Sequence, residues 1–207
     1  GNWIGLSLEG STLGNQFGIQ VTEAGGRVGT NSDGIADTEE RNVVSGNLNT
    51  GIIVGGASTT GVVVAGNYIG LDSTGALARP NHIGISLSND AHHNLIGGTS
   101  AVAGNVIGRN TASGVFISGA GTSNNAVFGN YIGTDARGML SLGNLFGIVN
   151  GDSSNLIGGA LPGQSNTIAF NTVGMRSSSV NNSRNVFYGN LQLAVDVPAD
   201  GITLNDD

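Results

Sequence analysis

The chain has 207 residues and a formal charge of −7, with seven arginines, no lysine and no cysteine. It carries no basic stripe for a nucleic-acid backbone, no thiol for a disulfide or a Cys-based metal site, and no apolar run long enough to insert in a membrane. Glycine (37) and asparagine (25) are abundant and proline (3) is scarce, without the Gly-X-Y period of collagen or the high charge of a disordered chain.

Gly and Asn tolerate the left-handed backbone of tight turns, so this composition points to many short strands separated by bends. A repeat organises them. Gly1-Asn2-Trp3-Ile4-Gly5 recurs as Gly66-Asn67-Tyr68-Ile69-Gly70 and as Gly129-Asn130-Tyr131-Ile132-Gly133, at intervals of 65 and 63 residues. The first unit, about 1–65, carries short β-branched runs at Trp3-Ile4-Gly5, Gly18 to Val21, Arg27 to Gly29, Asn42 to Ser45, Gly51 to Val54 and Gly61 to Val64. The second, about 66–128, gives Tyr68-Ile69, Gly84 to Leu87, Leu95 to Gly97, Asn105 to Ile107, Gly114 to Ile117 and Ala126 to Phe128. The third, about 129–190, gives Tyr131-Ile132, Gly147 to Val149, Leu156 to Gly158, Asn166 to Ile168, Val173 to Met175 and Asn185 to Tyr188. A final strand from Leu193 to Val197 opens a partial coil, followed by an acidic tail within 191–207. Six strands per unit fit two coils of three, about six coils in one all-β solenoid domain without disulfides. The chain starts in mid-repeat, which reads as a segment of a longer protein.

The asparagines admit two readings. Asn67, Asn130 and Asn190 follow strands, and Asn47, Asn110 and Asn171 occupy the equivalent bend of the other coil. Stacked amides would hydrogen-bond along the axis, as in cross-β ladders. Alternatively, each Asn supplies the left-handed residue of a turn.

Loops interrupt the coils at fixed places. Leu6 to Gly10, Leu71 to Gly75 and Thr134 to Gly138 are each followed by a Gly-Asn or Pro-Asn pair, and should form a ridge. Equivalent positions two coils apart lie roughly 10 Å from each other, too far for Asp72 and Asp135 to share one ion. A second loop is short at Thr99 to Gly104 and Ala160 to Gln164, but long and acidic at Thr30 to Arg41.

The run Gly129-Asn130-Tyr131-Ile132-Gly133-Thr134-Asp135-Ala136-Arg137-Gly138, with Asn155 to Gly159 and Arg41 to Asn47, resembles right-handed parallel β-helix repeats. These belong to the pectate-lyase-like superfamily, in a repeat type found in large secreted or surface-attached bacterial proteins. The resemblance spans the chain and implies a right-handed parallel β-helix at an extracellular or cell-surface location. It does not select a function, since that superfamily includes lyases, hydrolases, epimerases, adhesins and stalks.

The acidic loop has the spacing of an Asx-rich calcium loop. Asn31 and Asp33 precede the Gly34 turn, and Asp37 and Glu40 follow it, giving calcium the hard oxygens it takes; Gly29 stands where a first acidic ligand is expected. The competing reading is a solvated acidic loop with an Asp-Gly turn. The same stretch resembles the Asn-Thr-Asp motif of polygalacturonases, which need two carboxylates at fixed separation. Their accompanying Asp-Asp, Gly-His-Gly and Arg-x-Lys elements are missing, and the chain has no Lys. Arg27, Arg109 and Arg176 sit at strands without an acidic cluster, His92-His93 reads as an exposed turn, and Trp3, Tyr68 and Tyr131 form either a structural stack or a sugar platform. Asp196 to Asp207 resembles the start of an acidic Asp-Gly segment.

No amphipathic helix is available to cap either end, so the expectation is that neighbouring segments cover the ends or that copies self-associate through them. The function that follows is a non-enzymatic structural or adhesive module: a stalk, adhesin segment or filament subunit, with calcium as stabiliser. The alternative is a carbohydrate-active β-helix, which binds polysaccharide or acts on it as a lyase or epimerase.

Overall fold

The computed structural model describes residues 1–152, 154–178 and 184–196. The described residues form nineteen short strands and no helix, arranged in three sheets in which every pairing is parallel. Numbered in chain order, sheet I contains β1 (Trp3–Ile4), β4 (Val43–Val44), β7 (Tyr68–Ile69), β10 (Val106–Ile107), β13 (Tyr131–Ile132), β16 (Thr167–Ala169) and β18 (Val186–Tyr188). Sheet II contains β2 (Ile19–Val21), β5 (Thr50–Gly55), β8 (Ile83–Ser88), β11 (Ser113–Ile117), β14 (Phe146–Asn150), β17 (Val173–Ser177) and β19 (Val195–Asp196). Sheet III contains β3 (Arg27–Gly29), β6 (Val63–Ala65), β9 (Leu95–Gly97), β12 (Ala126–Phe128) and β15 (Leu156–Ile157). The chain visits sheets I, II and III in rotation, so each strand up to β14 has as its next partner the strand three places later.

That rotation corrects one expectation. Asn185 to Tyr188 was to be the sixth strand of the third unit and the partner in kind of β12. Instead β18 pairs with β16 in sheet I, and β19 pairs with β17. The sixth circuit has no sheet III strand among the described residues. Val197, the tail to Asp207 and its expected acidic segment lie outside those residues.

The core is built by register. In sheet I, Ile4, Val44, Ile69, Ile107, Ile132, Ile168 and Phe187 align strand to strand. Sheet II adds Ile52, Ile85, Val115, Ile148 and Met175, and sheet III adds Val28, Val64, Ile96, Val127 and Ile157. These residues make one cluster, most of it without solvent exposure. β-Branched side chains suit such a column, because a stiff rotamer repeated at each parallel partner packs on its own copy. Each fully buried Val or Ile contributes about 1.5–3 kcal/mol, which lets strands of two or three residues hold together.

At the entrance to each sheet the buried column is polar. Asn2, Asn42, Asn67, Asn105, Asn130 and Asn166 each pass an Nδ2–H to the Oδ1 of the next, ending on Asn185, at 2.9–3.1 Å. Asn15, Asn47, Asn81, Asn110, Asn144, Asn171 and Asn190 repeat this between sheets I and II, and Asn94, Asn125 and Asn155 before sheet III. The ladder reading therefore holds, with one regrouping: Asn190 continues the column of Asn171, not that of Asn67 and Asn130. The turn reading fails for the ladder asparagines, whereas Asn89 and Asn124, outside the ladders, do adopt the left-handed conformation. Among the described residues the left-handed conformation falls on the residue before several of the ladder asparagines, as at Gly66 (φ 71°), Gly129 (φ 67°), Arg109 (φ 61°) and Phe170 (φ 60°).

Candidate functional site

Loops enter on alternate circuits, which is why the ladder before sheet I advances by 40, 25, 38, 25, 36 and 19 residues. Two rows of loops result, one on each side of sheet I. Along one side run the ridge loops after β1, β7 and β13. Antiparallel bridges Leu6 to Thr12 and Leu71 to Ala78 close the necks of the first two. Asp72 accepts hydrogen bonds from the Thr74 hydroxyl and from the N–H groups of Thr74, Ala76 and Leu77. Asp135 accepts from Met139 and Leu140, and Ser7 plays the same part with Glu9 and Ser11. Partial burial alone would raise the Asp72 carboxyl, but the Thr74 hydroxyl and the loop N–H groups outweigh it and hold the group below its ordinary 3.8. Asp135 behaves alike: burial raises it, and the N–H groups of Leu140 and Met139 bring it below 3.8. These carboxylates organise their own loops. Arg79 links the row by donating to Gly10 O at 2.8 Å.

On the other side lie the Thr30–Arg41 loop and its shorter counterparts. Asn31 Oδ1 accepts from Asp33 N, and Asp33 accepts from Asn31 Nδ2 and Ile35 N. Asp37 accepts from the buried Thr30 hydroxyl at 2.6 Å and from Gly34 N at 3.1 Å, while Glu40 accepts from Asn31 N at 2.9 Å. Asn31, Asp33, Asp37 and Glu40 are thus brought into one loop, where their oxygens meet the loop's own donors. Among the described residues no group of three or more His, Asp or Glu side chains converges on a common point.

The remaining candidates are placed singly. Arg27 donates to Thr30 O, Arg109 donates to Ser141 O, and Arg176 lies 3.5 Å from Asp196 on the neighbouring strand. His92 and His93 meet edge to face at 5.3 Å, with His92 Nδ1 on Asp90 O. Trp3, Tyr68 and Tyr131 do share one row on sheet I, but the register inserts Val43 and Val106 between them, so they form no ring-on-ring stack.

Sequence reasoning passed over Arg41. Its guanidinium carbon lies 4.2 Å from the Tyr68 ring centroid, and its Nε donates to Gly66 O at 2.9 Å. Nothing local marked it, since Arg184 precedes an Asn-Val pair in the same way and only the register sets Val43 beside Tyr68. Also unanticipated were Thr59 and Thr122, equivalent in the repeat, whose buried hydroxyls find no partner among the described residues. No helix among the described residues is long and apolar enough to cross a membrane. Comparison with family models, curated proteins and solved structures gives no match to this chain.

Proposed function

We propose that the chain is a right-handed parallel β-helix of the pectate-lyase-like superfamily. In this reading it serves as a non-enzymatic structural or adhesive module at an extracellular or cell-surface site, as a stalk, adhesin segment or filament subunit. The supporting observation is where the polar groups are directed. Asparagines knit adjacent circuits, Asp72 and Asp135 brace the ridge, and the acidic loop folds onto its own N–H groups. An enzyme of acid–base chemistry needs a positioned pair of titrating groups facing a common substrate atom. Here Asp72, Asp135 and the carboxylates of the Thr30–Arg41 loop each face their own loop. Incubation with a panel of polysaccharides tests this reading: unchanged glycans support it, and release of reducing ends or unsaturated uronates would transfer the chain to the carbohydrate-active class.

The ladders also favour end-to-end assembly, because they have a direction. Asn2 Oδ1 accepts no bond from the described residues, while Asn185 and Asn190 each give one Nδ2–H to a carbonyl, of Ile157 and Ile168, and have another that meets no acceptor among the described residues. Acceptors at one end therefore complement donors at the other, whether a neighbouring segment or a second copy supplies them. Calcium enters this reading as a stabiliser of the Thr30–Arg41 loop. An ionised carboxylate has about four lone-pair positions, so the loop's own bonds leave oxygen capacity on Asp33, Asp37 and Glu40 for an ion that draws them together.

A further inference from the structure

We propose that the cavity over Tyr131 is a docking site for an arginine side chain of a partner protein. The chain carries a filled version of the same site. In the first, Arg41-Asn42-Val43 lies beside Gly66-Asn67-Tyr68, with Val43 paired to Tyr68. The guanidinium rests 4.2 Å from the Tyr68 ring centroid and donates through Nε to Gly66 O. One unit later, Val106 pairs with Tyr131, so Gly104-Asn105-Val106 lies beside Gly129-Asn130-Tyr131. Gly104 stands where Arg41 stood. The tyrosine and the glycine carbonyl are retained while the cation is gone, and Gly129 O accepts no hydrogen bond from the described residues. Gly66 is buried, and Gly129 is half-exposed.

Space and chemistry fit a guanidinium. A cavity of about 240 Å³ opens between the 99–104 and 160–164 loops, lined by Thr99, Ser100, Gly129, Tyr131, Ser165 and Thr167. A planar cation can cover the ring while its N–H groups reach a carbonyl and hydroxyls, which a compact ammonium does less well. The net charge of −7, on a chain whose only basic side chains besides three histidines are seven arginines, attracts a cationic partner. An extended glycan fits less well, since it needs a row of open rings and Arg41 already covers the middle one, Tyr68. The site stands whether the module is a stalk, an adhesin or a filament subunit.

The test is an NMR titration of the protein with N-acetyl-arginine amide, followed at the Tyr131 ring and the Gly129 amide. Saturable shifts there, with Tyr68 unmoved, are expected, with a dissociation constant on the order of 10 mM for one isolated side chain. Tyr131→Leu should abolish them. Arg41→Ala should open a second site, at which the same probe now shifts Tyr68, and this variant leaves Tyr131 untouched. The proposal is overturned if the arginine probe leaves Tyr131 unmoved, if N-acetyl-lysine amide shifts it equally, or if a cello-oligosaccharide shifts it and arginine does not.

Discussion

Asn67 donates twice to one atom: its side-chain Nδ2 reaches Asn105 Oδ1 at 3.1 Å, and its backbone N reaches the same oxygen at 3.0 Å. Asn105 repeats this toward Asn130 and gives its other Nδ2–H to Val64 O at 2.8 Å. Replacing Asn105 with Ala therefore strands two buried donors on Asn67. Each such group costs about 1–3 kcal/mol, so Asn105→Ala should lower unfolding free energy by more than about 2 kcal/mol in denaturant titration. A loss below half that figure would mean that water replaces the ladder without penalty.

Thr59 and Thr122 predict the opposite sign. Both are fully buried, and their hydroxyls have no partner among the described residues. Thr59→Val removes a desolvated polar group and keeps the branched shape, so a gain of about 1 kcal/mol is expected by the same titration. Destabilisation would show that the hydroxyl has a solvent partner.

The repeat and most of the strands were legible in the sequence, because period-marking Gly-Asn pairs and β-branched residues declare themselves locally. The ladders were only half legible. Successive partners are separated by intervals from 19 to 40 residues, so no fixed period brings Asn42, Asn67 and Asn105 into line. The reassignment of Asn190 and of β18 has one cause, the short sixth circuit. The Arg41 contact was hidden for another reason: a cation over a ring in the next circuit needs register, which a list of residues lacks.

Acid should loosen the ridge. The Asp72 and Asp135 carboxyls lie below 3.8 in the fold, so they bind fewer protons there than in the unfolded chain. Stability from these groups is fully present above pH about 4 and is lost as pH falls through their folded values. Asp72→Asn should flatten that acid limb of the thermal-melting profile by lowering the melting temperature at pH 7 toward its acid value, with little change at the acid end. An unchanged limb would show that the loop N–H bonds do not favour the ionised form.

Calcium should raise the melting temperature and excess chelator should lower it, by RT ln(1 + [L]/Kd) at the level of free energy. Asp33→Ala with Asp37→Ala should abolish the difference. Because Asp37 also holds Thr30, the double variant should melt lower than wild type even in chelator. Identical melting of wild type with and without calcium would remove the ion from the account.

Hydrogen exchange of the Asn side-chain amides shows whether the asparagine columns tie the circuits into one rigid module. The Nδ2 protons of Asn67, Asn105 and Asn130, all buried, should exchange as slowly as core backbone amides, while those of exposed Asn89 and Asn124 exchange freely. Ladder amides exchanging as fast as those of Asn89 would contradict a rigid module.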